Sequence, residues 1–591
     1  MTRYRLSGAV MTHPKRLPAA EALAESAPPG ALRVVMDPDP GGRPSVLRTA
    51  LAAWSAIEED ATHHLVVQDD MLLSETFFER ARAAVREMPD AALALFALWD
   101  ARNGAAVRLA AMSGARWVGS VNEYFPCVAI VLPREVATGF VEYGRQRLDA
   151  WPDDILMYRY LRDRGIPSYV SVPSLAEHDD RGSISGNAFR GPRRSVCFLP
   201  DDRPGNEGTR LEGLRVVPFF KHGVAQCAVR QDGPGPERWL HLECESYVEG
   251  SGIRVQRLDS AMLGLTEVQD REAVRGTWLT SFALGLVHRR AGRGGALDPD
   301  ADPVLAEALA TIGPGGISHR RSEEQIAEVR DGLARVARAG LEAGLAAGER
   351  RTAAGQKPRP ARTGPAHCVG LVGGASPLGE HLARGLADRG YRVTALGTEG
   401  GHPAPGLDAV VDLGPLHQCG ERTPASVVVT LLDRADGTVR STHTLYAGDL
   451  YGPGCPRDSA IGRMVWDAVR YQPVVVTEPP GPDLRPLHTA DLVDAVAHAV
   501  TAPVKERAVL LPVGDPLAVR HVADAVRESV RPVPLEAVAP AGRPGHRARP
   551  DGLGLPDLPP LEGWKPVREL HHGLHTFAQW LAYEGIRHAP D

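Results

Sequence analysis

Two carboxylates stand side by side in Val66-Val-Gln-Asp-Asp70, just past an apolar run. Adjacent carboxylates are costly to bring together unless a cation shares them. Oxygen ligands of this type suit Mg²⁺ or Mn²⁺, ions that also hold phosphates. A solvated turn with an aspartate as helix cap accounts for the same pair without chemistry. A second acidic pair, Asp153 and Asp154, follows Trp151-Pro152 and opens a stretch with helical spacing at Ile155, Leu156, Tyr158 and Leu161. Capping and complementation of the helix dipole are its structural reading. The third constellation is Cys368-Val-Gly-Leu-Val-Gly-Gly-Ala-Ser-Pro-Leu-Gly379, an apolar run entering a glycine turn. Gly373, Gly374 and Gly379 there suit close backbone approach to a pyrophosphate at a helix N-terminus. The middle position is Ser376, whose Cβ is expected to crowd that phosphate.

These residues need elements to position them. Ser7–Met11, Leu32–Met36 and His64–Gln68 read as buried strands. Ser45–Ile57 has helical spacing at Val46, Leu47, Ala50, Leu51 and Trp54. Strand, helix and strand in alternation predict an α/β domain with a mainly parallel sheet. Ligands of such sheets sit beyond the carboxyl ends of the strands. His63 and His64 point to opposite faces of a strand, so they do not form one metal site. Residues 205–350 hold two short strand patterns, Arg215–Phe220 and Gly223–Val229, and then turn helical. One apolar stripe runs through Val274, Trp278, Phe282 and Leu286. Another follows Ser322 and Gln325, a capping-box pair, through Ile326, Val329, Leu333, Val336, Leu341 and Leu345. Residues 351–365 are polar, contain Pro and Gly, and lack periodicity, as a linker does. The expected order is therefore an α/β domain over 1–204, a mainly helical connector over 205–350, the linker, and a second α/β domain over 366–591.

Composition narrows the function classes. The balance of 67 basic and 73 acidic residues gives −6, without the basic footprint of a nucleic-acid binder. Five lysines (15, 221, 357, 505 and 565) leave 67 − 5 = 62 arginines. Seven scattered cysteines without a CxxC argue against a disulfide framework and a cysteine-built zinc site. No stretch approaches the ~20 apolar residues of a membrane span. The expectation is a cytoplasmic protein.

Residues 5–190 resemble the nucleotide-sugar-dependent glycosyltransferases of GT-A fold. Val10-Met-Thr-His-Pro-Lys-Arg16 is similar to that family's first strand and nucleotide-binding loop, which implies donor contacts from Thr12 and His13. Asp37 falls where the family contacts the nucleoside. Gln68-Asp69-Asp70 falls on its DxD motif, with glutamine at the first acidic position. This implies Asp70 as the Mn²⁺ or Mg²⁺ ligand and Asp69 as a donor contact. Val128–Glu135 resembles the strand and turn before the acceptor-side helix. Trp151–Asp154 resembles the motif that supplies the general base, Asp154 ahead of Asp153, in inverting members. Ser174–Asn187 resembles the closing segment, where His178 completes the metal site. The implied reaction moves a sugar from a nucleoside-diphosphate sugar to an acceptor hydroxyl.

Residues 367–585 resemble the extended short-chain dehydrogenase/reductases of NAD-dependent epimerase/dehydratase type. The glycine turn, Asp408–Leu413, Leu450-Tyr-Gly-Pro-Gly454, Arg485–Leu492 and Gly563-Trp-Lys-Pro566 carry the likeness. The family's Tyr-xxx-Lys fails here: no lysine lies between 357 and 505, so Tyr446 and Tyr451 lack that partner. Glu399 is the one acidic candidate for the adenosine ribose. The expectation is a Rossmann-like domain without oxidoreductase activity, in which NAD(P) is doubtful and nucleotide binding, structure or dimerisation remain as roles. Two rivals stand beside this reading: a bifunctional protein whose second domain still processes a nucleotide sugar with NAD, and a noncatalytic nucleotide-binding scaffold.

Overall fold

The computed structural model describes residues 4–583 except 43–44, 149–150, 180–190, 232–237, 256–261, 263, 294–296, 354–366, 398–405, 415–425, 479–482, 503, 512–513 and 540–557. Glu399 and the end of the Ser174–Asn187 segment lie outside the described residues. The chain forms two compact units, Met1–Lys357 and Pro358–Asp591, and both are mixed α/β.

The first unit opens as the apolar runs predict: β1 (Leu6–Thr12), α1 (Leu17–Ser26), β2 (Arg33–Met36), α2 (Val46–Trp54) and β3 (His63–Gln68). Next come β4 (Met71–Leu73), α3 (Phe77–Glu87), β5 (Ala92–Ala94), α4 (Arg102–Ala111) and β6 (Trp117–Gly119). They are followed by β7 (Ala129–Pro133), α5 (Arg134–Arg145), α6 (Asp153–Asp163), β8 (Ser168–Ser171), β9 (Ala176–His178) and β10 (Arg210–Leu211). One sheet runs in the order β10-β6-β8-β5-β7-β3-β1-β2, and β4 pairs with β9 in a small second sheet. β2, β1 and β3 are parallel, while β7 runs antiparallel between β3 and β5. The chain leaves β1 toward β2 and returns on its other side as β3. The crevice at the carboxyl ends of β1 and β3 is therefore a topological switch point, where open α/β sheets bind ligands.

Continuous burial explains these strands. Ala9, Val10, Leu65 and Val67 are fully buried between helices on both faces, as a parallel sheet requires. His63 and His64 are structural. His64 bonds Ser7 Oγ at 2.8 Å and the Ala53 carbonyl at 2.9 Å. Burial lowers its pKa to about 4.

The segment after 204 contributes strands as well as helices: β11 (Val216–Lys221), β12 (Val224–Gln231) and β13 (Arg238–Glu243) form an antiparallel sheet. Then come α7 (Cys244–Gly250), α8 (Arg271–Arg290), α9 (Pro303–Ala310), α10 (Ile312–Ile317) and α11 (Glu323–Ala353). This segment packs into the same compact unit as residues 1–204. Buried Arg108 on α4 is one tie: it donates to the carbonyls of Trp99 and Ala308 at 2.8 Å and to Thr311 Oγ1 at 2.9 Å. The Ser322–Gln325 capping box forms, with reciprocal bonds of 3.0 and 3.4 Å. α8 and α11 cross closely because glycines face the contact. A Cβ on Gly344 would lie 2.1 Å from the Phe282 carbonyl oxygen, and one on Gly285 2.4 Å from that of Leu341.

The second unit starts with β14 (Cys368–Val372), α12 (Pro377–Asp388), β15 (Arg392–Leu396) and β16 (Ala409–Asp412). β17 (Ser426–Leu432), β18 (Val439–Tyr446), β19 (Asp449–Tyr451), α13 (Ala460–Val469) and β20 (Val474–Thr477) follow. The remainder is β21 (Pro486–His488), α14 (Thr489–Thr501), β22 (Ala508–Leu510), α15 (Val519–Ser529), β23 (Leu535–Val538) and α16 (Leu570–Tyr583). The main sheet is ordered β15-β14-β16-β17-β18-β22. β15, β14 and β16 are parallel, and an antiparallel β17–β18 hairpin follows directly.

Candidate functional site

At the switch point of the first unit, backbone geometry gathers residues from three strand ends. Thr12 ends β1, and its carbonyl accepts the Asp37 amide at 2.8 Å just past β2. Thr12 Oγ1 donates to Asp69 Oδ2 at 2.5 Å just past β3. Asp69 is buried, and burial pushes its carboxyl up against the opposing pull of Thr12. Asp37 is claimed by Arg48 through paired bonds of 2.8 Å, which hold its carboxyl below the usual range. His13 caps the short turn Pro14–Arg16, accepting the Lys15 amide at 3.2 Å.

The acidic turn continues into β4, which pairs with β9 so that Met71 faces His178. The Asp179 amide donates to the Asp70 carbonyl at 2.8 Å. This pairing brings His178 Nε2 to 3.9 Å from Asp70 Oδ2. Thr12, His13, Asp37, Asp69, Asp70 and His178 thus gather around one strand-end crevice. The residue that spacing did not single out is Arg16. Its Nη1 lies 2.7 Å from Asp70 Oδ2 and 3.2 Å from Asp69 Oδ1. Burial works against its charge, but Asp70 and Asp69 overcome that and raise its pKa. The available signal was the basic His13-Pro-Lys-Arg16 run after the first strand.

The carboxylates expected to hold Mn²⁺ or Mg²⁺ are engaged by protein groups in the structure. A guanidinium already bridges the two carboxylates, and Thr12 takes the other Asp69 oxygen. Among the described residues, no three His, Cys, Asp or Glu side chains cluster as a metal site.

Asp153 and Asp154 begin α6, so the helix-start reading of the sequence holds. A loop links them to the same strand end. Phe125 N donates to the Asp154 carbonyl at 3.1 Å, and three residues on, the Val128 carbonyl accepts Gln68 N at 2.9 Å. Asp153 is buried, and burial followed by repulsion from Asp154 raises its pKa to about 7. Asp154 is less buried; its Oδ1 accepts the Ile155 amide at 2.7 Å. Burial first, then these two carboxylates, push the Cys127 thiol up.

In the second unit, Gly373 takes φ +80°, open to glycine, and a Cβ on Gly379 would sit 2.2 Å from the Gly373 carbonyl oxygen. Ser376 differs from the expected obstruction. Its Oγ donates to the Gly373 carbonyl at 2.8 Å and accepts the Gly379 amide at 3.0 Å, capping α12. The hydroxyl is folded into the turn and uses one amide that a pyrophosphate would otherwise meet. Gly374 completes the turn with ordinary contacts. Tyr451 is buried, and burial pushes its phenol up. Lys505 instead stands 3.5 Å from Glu562.

No family model matches the sequence, and no curated protein matches it. Similar solved structures include the UDP-glucose 4-epimerase of Thermus thermophilus in complex with NAD. It is 14% identical with a TM-score of 0.26, over 36% of this chain and 97% of that one. The NAD-dependent NDP-hexosamine 5,6-dehydratase TunA, involved in tunicamycin biosynthesis, is 15% identical with a TM-score of 0.27, over 36% and 97%. The dTDP-glucose 4,6-dehydratase of Bacillus anthracis in complex with NAD is 11% identical with a TM-score of 0.26, over 37% and 97%. These three are epimerases and dehydratases, not sugar transferases. No helix among the described residues is long and apolar enough to cross a membrane.

Proposed function

We propose that the first unit binds a nucleoside-diphosphate sugar at the β1–β3 switch point and transfers its sugar to an acceptor hydroxyl. The observation that carries this reading is the hydrogen-bonded set Thr12, Asp37, Asp69, Asp70 and Arg16 at three neighbouring strand ends. Glycosyl transfer passes through an oxocarbenium-like state. The protein's task is to orient the departing diphosphate and to remove the acceptor's proton. Asp154 at the start of α6 is the candidate base. Asp153, buried behind it, shares its field. In the transfer step the acceptor oxygen bonds to the anomeric carbon, the bond to the diphosphate oxygen breaks, and the acceptor proton passes to the carboxylate.

A second reading has its own observation. The second unit keeps a glycine turn, with Ser376 at its middle position, at the carboxyl end of β14, between parallel β15 and β16. That arrangement supports nucleotide binding of the epimerase/dehydratase type, and the bifunctional reading with it. The missing Tyr-xxx-Lys lysine weighs against turnover there.

The test is mass spectrometry of the full chain incubated with UDP-, GDP- and dTDP-sugars and a panel of hydroxyl acceptors. Release of a nucleoside diphosphate together with a glycosylated acceptor, lost in Asp154→Asn, supports the transferase. Unchanged transfer in both Asp70→Asn and Asp154→Asn would sink it. A nicotinamide absorbance change with a sugar nucleotide would instead favour the second unit as the active one.

A further inference from the structure

We propose that Asp100, Lys221 and His319 form an acceptor subsite beside the donor crevice, and that it takes a neutral, hydroxyl-rich molecule such as a glycoside. This rests on the reading of the first unit as a sugar transferase. Ile130 on β7 pairs with both Val66 on β3 and Ala94 on β5. β3 and β5 therefore run parallel and leave the sheet level with each other, about 10 Å apart at two strand spacings. Asp69 follows Val66 and Asp100 follows Ala94 past the same sheet edge.

The segment after 204 reaches this end of the sheet. Lys221 ends β11, and the Gly223 amide next to it donates to the Gly316 carbonyl at 2.8 Å, just before Ser318–Arg320. Lys221 is 9% exposed, and its Nζ lies 3.6 Å from Asp100 Oδ2. Among the described residues, neither the Lys221 ammonium nor the Asp100 carboxylate makes a hydrogen bond. Polar groups this buried are ordinarily bonded. His319 Nδ1 is buried without a partner as well. Burial, then Arg320, lowers the His319 pKa to about 4 against the pull of Asp100, so its ring is neutral.

The chemistry selects the ligand. An oxygen about 2.8 Å from both Nζ and Oδ2 spans their 3.6 Å gap with two ordinary hydrogen bonds. That oxygen accepts from the ammonium and donates to the carboxylate, as a hydroxyl does and an ionised carboxylate does not. Buried Glu123 accepts the Asn103 amide at 2.9 Å. Burial raises its carboxyl, against Lys221, the Asn103 amide and Arg102. Lys221 and Arg102 thus offset Asp100 and Glu123, and the cluster has no negative excess to repel or surplus charge to draw an ion.

The experiment is saturation-transfer NMR of the full chain with the methyl glycosides of glucose, galactose and N-acetylglucosamine, and with acetate as the anionic probe. Each is titrated alone and in the presence of UDP, GDP or dTDP. The expected result is binding of at least one glycoside, weakened about tenfold or more in Asp100→Asn and in Lys221→Met. Asparagine keeps the shape of aspartate, and melting temperatures of both variants separate lost contacts from lost folding. Glycoside binding that survives both variants, acetate binding that both abolish, or the absence of glycoside binding overturns the proposal. A thermal shift of the first unit with a nucleoside diphosphate then leaves the sugar-nucleotide reading standing. Absence of that shift, with no glycoside bound, overturns both.

Discussion

Asp153→Asn should change how stability responds to pH, because this carboxyl titrates at different pH values in the two states. Folded, its pKa is about 7, raised first by burial and then by Asp154, against 3.8 for the exposed group. Between those values the folded chain holds a proton that the unfolded chain has released. Stability from this group is therefore full below about pH 4 and falls as pH rises to 7. Roughly 3 pKa units at 1.36 kcal/mol each give about 4 kcal/mol across that window. Asparagine stands in for the neutral acid and removes the slope. Calorimetry from pH 4 to 8 reads this as a widening gap between wild type and variant in the transition of the first unit. With roughly 1–2 °C per kcal/mol for a unit of this size, the variant gains about 5 °C relative to wild type between pH 4 and 7.5. Parallel curves for the two proteins would refute the argument, because they would mean that Asp153 ionises freely in the folded state.

Thr12→Val leaves the buried Asp69 oxygen without its donor. It should cost about 1–3 kcal/mol, read as a lower melting temperature, and weaken the diphosphate-dependent thermal shift. Arg80→Leu strips the buried partner from Glu207 and Asp202, which it contacts at 2.9 and 3.0 Å. Breaking a buried pair this way costs about 3–5 kcal/mol, and urea unfolding of the first unit should show it. Gly379→Ala drives a methyl to 2.2 Å from a backbone oxygen. The expected result is a lowered second transition in calorimetry, with the first unmoved.

Much of the fold was legible because periodicity reports burial. The strands through Val10, Val34 and Val66 and the helix through Leu47 and Trp54 appear where their apolar spacing put them. Topology was less legible. Nothing in the pattern of β7 says that it runs antiparallel between β3 and β5, since an internal strand is apolar in either direction. The 205–350 segment read as a connector because its stripes are helical. Its union with the first sheet runs through single polar side chains such as Arg108, whose partners lie 200 and 203 residues away. Long-range bonds of this kind leave no local period. Arg16 was hidden for a related reason. One arginine among 62 carries no signal until the fold sets it against two carboxylates.

In the second unit, residues that carry the family likeness are engaged in architecture. In Arg485–Leu492, Asp491 accepts the Val567 amide at 3.2 Å and Arg568 Nη1 at 2.7 Å, tying α14 to the start of α16. His488 is buried and caps α14 through Ala490 N at 3.2 Å; burial, with Arg568 the next cause, keeps its pKa well below the ordinary value. Tyr451 packs edge-on to His488 at 5.3 Å, and its hydroxyl lies so near Gly573 that a Cβ there would be 2.4 Å away. Each group can bind a ligand in principle, and each is engaged in holding α14, α16 and the Leu450–Gly454 loop together. A network that orients a substrate and one that only packs use the same residue types, so sequence alone does not separate the two. Replacement does: Asp491→Asn should lower the melting transition of the second unit by breaking the Arg568 pair, while leaving the transition of the first unit unmoved. A nucleotide-dependent thermal shift of the second unit that Asp491→Asn abolishes, with the ligand-free melting transition unchanged, would return these residues to ligand contacts.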